Sequence, residues 1–389
     1  MPDGSDLNEE LSTVRLVGRM ADIAPKNWDS CAGSDNPFTS HAFLSALEES
    51  GSAIPETGWT PRHLVIENTS GRLEACAPMY LKSHSHGEYV FDFGWAEAYE
   101  QAGGRYYPKL LVGVPFTPAT GSRLLTLKSN PAGEPALMAG LTAAARQLAV
   151  SSLHINFLPP DQWQGLKETG FLARIGCQFH WTNRDYESFD DFIKALSSRK
   201  RKAIRKEREK VARSKIKITA LTGKDIRENH WDSFYRFYSD TIARKWAYPY
   251  LTRDFFSLIG QSMSEKIVMV MAEDETGQHV ACALNFLGND CLFGRYWGCA
   301  EHHDFLHFEL CYYRAIDYAI GAKLDRVEAG AQGRHKVQRG YLPTLTYSAH
   351  WLTDPHFSKA VANFLDRERV ETKAEIKAYM ENSPYAKGA

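Results

Sequence analysis

The stretches HLVIENTSGRLEACAPMYL at His63–Leu81 and MVMAEDETGQHVACALNFL at Met269–Leu287 align residue for residue and decide the fold. Each has an apolar run, a turn around a glycine, and a second apolar run that contains Ala-Cys-Ala. Runs of this length on either side of a glycine are typical of a β-hairpin. A hairpin that recurs in one chain indicates an internal repeat, so we predict two copies of one module.

The elements that follow each hairpin also recur in the same order. We predict a third strand at Glu88–Trp95 (EYVFDFGW) and at Cys291–Gly298 (CLFGRYWG). A helix, a strand, a second helix and a last strand ending in His-Trp then follow in both copies. Helices that connect strands in this way indicate a mixed sheet. The predicted fold class is therefore α/β with a mixed sheet, built from two tandem modules.

The repeat sets the predicted domain boundaries. Residues 1–187 form an N-terminal module with an aromatic, Gly/Pro-rich hairpin insertion, and residues 216–389 form a C-terminal module that ends in a helix. Residues 188–215 are predicted to form one connecting helix that begins at a Ser188 N-cap, with apolar residues on one face and basic residues on the other.

Composition excludes several classes of protein. Lys+Arg 46 against Asp+Glu 47 excludes a molecule-wide basic surface for nucleic acid, although a local patch is compatible with it. The N-terminus shows no signal-peptide pattern, no apolar run is long enough to span a bilayer, and seven cysteines include no CxxC. We expect a reduced, cytoplasmic protein. His303 and His307 lack a clear third ligand, so no metal is predicted.

Four longer stretches resemble one protein family. They are GWAEAYEQAGGRYYPKLLVGVPFTPATG (94–121), SSRKRKAIRKERE (197–209), GRYWGCAEHHDFLHFELCYY (294–313) and EAGAQGRHKVQRGYLP (328–343). They resemble the bacterial FemAB-related proteins labelled "peptidoglycan biosynthesis", a FemAB-like branch of the GNAT acyltransferase superfamily. The resemblance runs from about Trp28 to about Arg369. It implies two GNAT-like modules and transfer of an acyl or aminoacyl group onto an amine.

The resemblance also implies where the reaction takes place. In GNAT-like folds the substrates meet where the third strand of the module separates from the next strand, which here points to 295–298 and 328–341. Transfer to an amine needs a base and a group that stabilises the oxyanion. We predict Glu328 as the base and His335 as the second choice, with structural ion pairs as the alternative interpretation. The predicted substrate-binding residues of this copy are Arg295, Tyr296, Trp297, Gln332, Lys336, Arg339 and Tyr341.

The N-terminal copy supplies a predicted second wall for the acceptor. Its acidic and aromatic residues suit an acceptor that carries an amine, although packing of the insertion explains them equally well. These residues are Asp92, Trp95, Glu97 and Tyr107.

Three hypotheses for the function follow, and the first two differ in the donor of the transferred group. The loop Cys299–His307 lacks the glycines with which acetyl-CoA enzymes of this fold hold pyrophosphate, which disfavours an acyl-CoA-dependent N-acetyltransferase. The basic helix favours an aminoacyl-tRNA donor, since it could contact tRNA phosphates, or peripherally a membrane surface. A solvated helix face is the alternative. The third hypothesis is a non-catalytic module that binds a cell-wall peptide or a protein. No tightly bound cofactor is expected. The predicted phosphate-binding residues are Arg199, Lys200, Arg201, Lys202, Arg205 and Lys206.

Overall fold

The computed structural model describes residues 12–244, 248–331, 333 and 335–386. The main elements of the N-terminal copy are β1 (Thr13–Val17), α1 (Pro25–Ala32), α2 (His41–Glu49), β2 (Trp59–Pro61), β3 (His63–Glu67), β4 (Leu73–Ala77), β5 (Met79–Lys82), α3 (Phe93–Gln101), β6 (Lys109–Val112), β7 (Leu125–Thr126), α4 (Gly133–Gln147), β8 (Ser152–Leu158), α5 (Pro160–Glu168) and β9 (Leu172–Thr182).

Two helices then lead into the second copy. They are α6 (Phe189–Lys194) and α7 (Ser198–Ala212). The C-terminal copy contains β10 (Lys217–Thr222), α8 (Glu228–Ala243), α9 (Arg253–Ser262), β11 (Ile267–Glu273), β12 (His279–Leu287), β13 (Cys291–Cys299), α10 (Leu306–Phe308) with a π-helical turn at Glu309–Tyr313, α11 (Arg314–Gly321), β14 (Arg326–Glu328), β15 (Leu342–Leu352) and α12 (Pro355–Glu381).

The strands form two sheets. A small antiparallel sheet has the order β1-β3-β4-β7, and a large sheet has the order β10-β11-β12-β13-β14-β9-β15-β8-β6-β5-β2. In the large sheet β6 pairs with β8 and β13 with β14 in parallel, among antiparallel neighbours. This arrangement confirms the predicted α/β class with a mixed sheet.

The last strand of each copy lies in the middle of the large sheet. β9 pairs with β14 and with β15, and β15 pairs in turn with β8. Each copy therefore extends its own sheet with the final strand of the other copy. The exchange joins the two copies into one continuous sheet.

The predicted third strand of the N-terminal copy at Glu88–Trp95 is wrong. Residues 88–92 form no strand, and α3 begins at Phe93. The strand that occupies this place is β6, which lies inside the insertion and pairs with β8 as β13 pairs with β14. The likeness to the second copy was misleading, because the carboxylates of Glu88 and Asp92 bind the buried ammonium of Lys109 instead of facing solvent.

The predicted single connecting helix at 188–215 is also wrong, because the chain forms two helices. Ser188 does cap the first, since its hydroxyl accepts a hydrogen bond from Asp191 N at 3.1 Å. Between the helices Leu196 forms a β-bridge with Tyr385, and Ser197 N donates to Pro384 O at 2.9 Å. A contact with the distant C-terminal segment therefore interrupts the helix.

Among the residues that the structure describes, no helix combines the length and the apolar character needed to cross a bilayer. The longest, α12, carries charged residues along its whole length.

Candidate active site

A cleft of about 640 Å³ opens where β13 and β14 separate. The two strands pair only from Cys291–Phe293 to Arg326–Glu328 and then diverge. A register shift between Leu284 and Asn285 on β12 leaves Arg295 of β13 without a partner opposite it. Such a β-bulge bends a strand and redirects its side chains, so Arg295 and the following residue can face the opening.

Both copies line the cleft. The C-terminal copy contributes Gly294–Tyr296 of β13 and Ala329–Ala331 after β14, and α12 closes one side. The N-terminal copy contributes Arg174–Phe179 of β9 and the segment Tyr89–Phe91. Residues of both copies therefore line one cleft, at the strand junction for which the sequence predicts the reaction site.

Two cations line the cleft without an acidic partner among the described residues. Lys336 is 6% exposed, and its Nζ donates to Ala329 O and, at 3.2 Å, to Gly330 O. Burial lowers the pKa of Lys336 to about 8. Arg295 donates from Nη2 to Phe116 O at 2.6 Å, while its buried Nε has no hydrogen-bond partner. Because buried charge is costly without a counter-charge, this pair is suited to an anionic group.

Three aromatic residues near the cleft have positive φ. The angles are 60° at Tyr89, 60° at Phe157 and 56° at Phe116. Bulky side chains are strained in this region by about 1–3 kcal/mol, and such strain is found mainly at functional sites. Phe116 O accepts hydrogen bonds from Arg295 and, at 3.2 Å, from the Tyr296 hydroxyl. A strained turn of the N-terminal copy therefore fixes the bulge of the C-terminal copy.

Glu328 lies behind the cleft wall. It is 4% exposed, its Oε1 accepts from Arg326 Nε at 3.3 Å, and its Oε2 has no hydrogen bond but lies 3.8 Å from His180 Nε2. His180 Nε2 lies 3.2 Å from Gln178 Oε1, and Gln178 lines the cleft. Glu328 is therefore connected to the cleft through His180 and Gln178, and its role as base stays a prediction.

His335 and Tyr341 also lie outside the cleft lining. His335 Nε2 is 2.9 Å from the hydroxyl of Tyr312, and burial lowers the pKa of this histidine. Tyr341 is fully buried and donates its hydroxyl hydrogen to Tyr312 O at 3.1 Å. Both residues support the segment around Lys336 and do not face the opening.

The other predicted binding residues of this copy are placed differently. Arg339 forms an ion pair with Glu207 of α7 at 2.7 Å, so the structural interpretation applies to it. Trp297 packs against His307, with the ring centroids 5.1 Å apart. Gln332 lies outside the described residues.

The four predicted wall residues of the N-terminal copy do not line the cleft. Trp95 is buried against the His350 ring at 5.0 Å, and Tyr107 shares a 2.8 Å hydrogen bond with Ser85. Glu97 is exposed on α3, and Asp92 is 2% exposed beside Lys109. The N-terminal copy lines the cleft instead with Arg174–Phe179 and with Tyr89–Phe91, none of which was predicted. Aromatic residues between two acidic ones, Glu88 and Asp92, were the available signal.

A cluster of buried charges lies behind this wall. Lys109 Nζ donates to Glu88 Oε2 at 2.8 Å and to Asp92 Oδ2, which also accepts from the Tyr106 hydroxyl at 2.6 Å. Burial raises the pKa of Glu88 to about 7 despite the nearby ammonium. Burial acts in the same direction on Asp92, but the Lys109 ammonium, His154 and the hydrogen bonds from Lys109 and Ser85 together outweigh burial and lower the pKa of that carboxyl. The cluster thus holds one lysine between two unlike carboxyl groups.

Two histidines connect this cluster to the cleft. Ser348, which lines the cleft, has its Oγ 3.0 Å from His350 Nε2. His350 Nδ1 is 2.7 Å from His154 Nδ1, opposite it in the β15–β8 ladder. His154 Nε2 lies 3.3 Å from the Tyr106 hydroxyl. Burial lowers the pKa of His154 to about 3 and that of His350 also falls far, so both rings are neutral at pH 7.

Comparison with known proteins places this chain in a family. The sequence profile of FemAB-like proteins, described as peptidoglycan biosynthesis/recognition, matches residues 19–387. This chain belongs to the FemAB-like family. Among curated proteins, no sequence matches it.

Solved structures show that the FemAB-like chain shares its fold with several proteins. FemX is 12% identical with a TM-score of 0.55, over 87% of this chain and 98% of FemX. The C-terminal domain of a candidate lysylphosphatidylglycerol synthetase from Agrobacterium fabrum is 10% identical with a TM-score of 0.55, over 88% and 95% of the two chains. L-PGS from Bacillus licheniformis is 9% identical with a TM-score of 0.51, over 85% and 98%. At these identities the likeness shows the fold, which is shared over at least 85% of the chain.

The basic helix of the FemAB-like protein divides into two halves. In its second half Arg208 pairs with Asp317 at 2.7 Å, Lys210 with Asp304 at 2.5 Å, and Arg213 with Glu209. These cations form ion pairs with neighbouring elements or with an acidic residue one turn away on the same helix. They are therefore poorly placed to serve as phosphate contacts.

The first half of α7 holds the six predicted phosphate-binding residues. Arg205 makes one exposed ion pair, with Asp190 at 3.3 Å, and Lys200 Nζ donates to Gln338 Oε1. Gln338 lines a groove of about 380 Å³ that shares Glu375 and Tyr379 with the cleft. In the described part of the chain the other four, Arg199, Arg201, Lys202 and Lys206, form no ion pair. Lys200 therefore places the beginning of α7 beside a groove that adjoins the cleft.

Within the described residues no group of three or more His, Cys, Asp or Glu side chains is arranged to hold a metal ion.

Proposed function

We propose that this FemAB-like protein transfers an acyl or aminoacyl group onto the amine of an acceptor bound in the cleft. The observation that carries the proposal is the pair Lys336 and Arg295, two cations without acidic partners at the point where β13 and β14 separate. Polar groups held in a protected cleft stabilise charge that appears during a reaction, because they need no reorganisation.

The proposed chemistry requires one anionic intermediate. The acceptor ammonium loses a proton, and its nitrogen attacks the carbonyl carbon of the donor ester or thioester. A tetrahedral oxyanion forms and collapses when the C–O or C–S bond to the donor breaks, and the second proton of the attacking nitrogen passes to the leaving oxygen or sulfur. An ammonium has three N–H groups, and carbonyls take two from Lys336, so one is left for the oxyanion. Arg295, which also lines the cleft, supplies a second positive charge.

We propose Glu328, which lies behind the cleft wall next to His180, as the group that receives the acceptor's proton, and His335 as the second choice. The free carboxylate oxygen of Glu328 and its 3.8 Å separation from His180 support the first assignment. Substitution Glu328→Gln keeps the shape of the side chain and removes the base. We expect turnover to fall about a hundredfold with the fold intact; unchanged turnover would remove Glu328 from the reaction.

We propose aminoacyl-tRNA as the donor, with the first half of α7 contacting its phosphates. The four cations of that half without ion pairs and the adjoining groove support this choice. An acyl-CoA donor is disfavoured by the loop Cys299–His307, which lacks the glycines that hold a pyrophosphate. The seven free thiols support a reducing compartment, so we propose that the reaction takes place in the cytoplasm. As an alternative to tRNA, the basic residues of α7 would contact an anionic membrane surface.

Ligand-dependent thermal shifts test the donor. Acetyl-CoA, aminoacyl-tRNA and a peptidoglycan precursor are each added to the whole protein, and we expect the melting temperature to rise with the last two. Stabilisation by acetyl-CoA without a response to tRNA would overturn the donor assignment. Binding of a precursor without turnover from either donor would identify a binding module.

The salt dependence of tRNA binding tests the role of α7. The variant Arg201→Gln/Lys202→Gln removes two cations of the first half, and Lys210→Gln/Arg213→Gln is its control with the same charge change in the ion-paired half. We expect the first variant to lower the slope of log Kd against log salt by about 1–2 and the control to leave it nearly unchanged. Equal effects would show that α7 acts only as a connector.

A further inference from the structure

One buried lysine holds both ends of a short segment of the cleft wall. Glu88 and Asp92 stand at the two ends of residues 88–92, and the carboxylates of both accept hydrogen bonds from Lys109 Nζ. Lys109 is fully buried on β6, and Glu88 and Asp92 are 5% and 2% exposed. The third hydrogen of this ammonium is donated to Ser85 Oγ at 2.7 Å. All three N–H groups of Lys109 are therefore hydrogen-bonded to side chains of residues 85–92.

The residues between the two anchors face the cleft. Tyr89, Val90 and Phe91 all line it, and none of them belongs to a helix or strand. Phe91 is 64% exposed, and its carbonyl accepts from Arg174 Nη1 at 2.8 Å. Arg174 itself forms a double hydrogen bond with Glu368 of α12, at 2.6 and 2.8 Å. The segment is thus held from behind by Lys109 and at the cleft edge by Arg174.

The left-handed conformation of Tyr89 has to be held by neighbouring groups. A non-glycine residue at φ 60° relaxes unless the surrounding structure fixes it. An exposed ion pair would hold it weakly, because water screens the charges. A buried ammonium between two carboxylates is much harder to separate, since each separation leaves an unpaired charge out of water.

We propose that Lys109 is a positioning residue that fixes both ends of residues 88–92, so that Tyr89 and Phe91 form the acceptor side of the cleft. The buried charges of the N-terminal copy then act as an anchor for the wall. That the wall contacts an acceptor rests on the proposed function. That Lys109 holds the segment does not depend on it.

Limited proteolysis with chymotrypsin tests the anchor without any substrate. This protease cuts after exposed aromatic residues of chain that can leave the surface, and Tyr89, Phe91 and Phe93 supply such positions. In Lys109→Met we expect cleavage at residues 89–93 about tenfold faster than in the unchanged protein, measured by mass spectrometry. Since that variant leaves two buried carboxylates unpaired, the variant Glu88→Gln/Asp92→Asn/Lys109→Met removes all three charges together. We expect the same acceleration there, with the melting temperature nearly restored.

The control is Lys82→Met, which removes the other fully buried lysine beside the segment. Lys82 lies opposite Lys109 in the β5–β6 ladder but donates to Gly58 O, not to Glu88 or Asp92. We expect its cleavage rate at 89–93 to be unchanged. Cleavage of the triple variant at the rate of the unchanged protein would overturn the proposal, as would equal acceleration in Lys82→Met.

A kinetic arm connects the anchor to the reaction. In the triple variant we expect KM for the acceptor to rise about tenfold while kcat changes less than about threefold, because the reacting groups are untouched. A fall in kcat with unchanged KM would assign Lys109 to the chemistry and overturn the positioning role. Absence of turnover in the unchanged protein would contradict the proposed function, while the proteolysis result would still decide the anchor.

Discussion

Residues 88–95 and 291–298 hold equivalent places in the repeat, after the hairpin of each copy, yet they have different structures. The second is a strand whose bulge directs Arg295 into the cleft. The first is an anchored segment followed by α3, and β6 takes the place of the strand. The comparison shows that the two copies of a duplicated module contribute different parts of one cleft. The C-terminal copy opens it, and the N-terminal copy supplies a wall for it.

The two copies also use a buried lysine in opposite ways. Lys109 lies between two carboxylates and has no access to solvent. Lys336 lines the cleft, and only backbone carbonyls accept its hydrogen bonds. An ion pair that is complete within the protein stabilises structure once formed, whereas a cation without a counter-ion is available to a ligand. The predictions below test this difference.

The largest expected effect concerns the free energy of unfolding of the two lysine variants. Lys109→Met leaves two buried carboxylates without a counter-charge and should cost about 3–5 kcal/mol. Lys336→Met removes a buried cation that has no acidic partner and should cost less than about 1 kcal/mol. Urea unfolding of both variants measures this, and equal losses would contradict the division of roles.

The next effect concerns turnover. Lys336→Met removes a group proposed to stabilise the oxyanion, so kcat/KM should fall about 10²–10³-fold, or about 2.7–4 kcal/mol. Steady-state kinetics with the donor found in the thermal-shift experiment measure this. Lys336→Arg, which keeps the positive charge, is the control and should recover part of the loss. Activity of Lys336→Met close to that of the unchanged protein would show that the cleft reacts without this cation.

The histidine pair that links the copies should make stability depend on pH. Burial lowers the pKa of His154 to about 3, and that of His350 also lies below its usual value of 6.5. Between those values the unfolded chain binds protons that the folded protein does not, so stability falls as pH decreases below about 6.5. Each histidine should contribute up to about 1.4 kcal/mol per pH unit. Denaturant unfolding between pH 4.5 and 7.5 measures this dependence. In His154→Gln/His350→Gln the free energy of unfolding should change less steeply with pH than in the unchanged protein, and an equally steep change would contradict neutral buried rings.

The smallest effect concerns the strained wall. Tyr89→Gly removes the cost of a tyrosine at positive φ and should raise the free energy of unfolding by about 0.5–1 kcal/mol. Val90→Gly is the control at a neighbouring residue without positive φ, and it should lower stability by a similar amount. Thermal unfolding of the pair measures the difference. A loss in Tyr89→Gly as large as that of the control would show that Tyr89 is not strained.

The sequence by itself determined the repeat, the mixed α/β class, the Ser188 cap and the place of the cleft. Hairpins, caps and strands of this kind depend on neighbouring residues, so their signals survive in a short window of sequence. The position of Arg295, Tyr296 and Lys336 at the cleft could be predicted because they stand next to elements whose order was already clear.

Only the tertiary structure decided which charges are paired and which strands are neighbours. The likeness of Glu88–Trp95 to the third strand of the second copy favoured a strand, but a lysine from the insertion binds the two carboxylates of this segment and holds it outside the sheet. The helix at 188–215 is interrupted by a bridge to Tyr385, and β9 and β15 are exchanged between copies. These outcomes depend on contacts between residues far apart in the chain. Local periodicity carries no information about such contacts, because their free energy arises only when the distant partners are buried together.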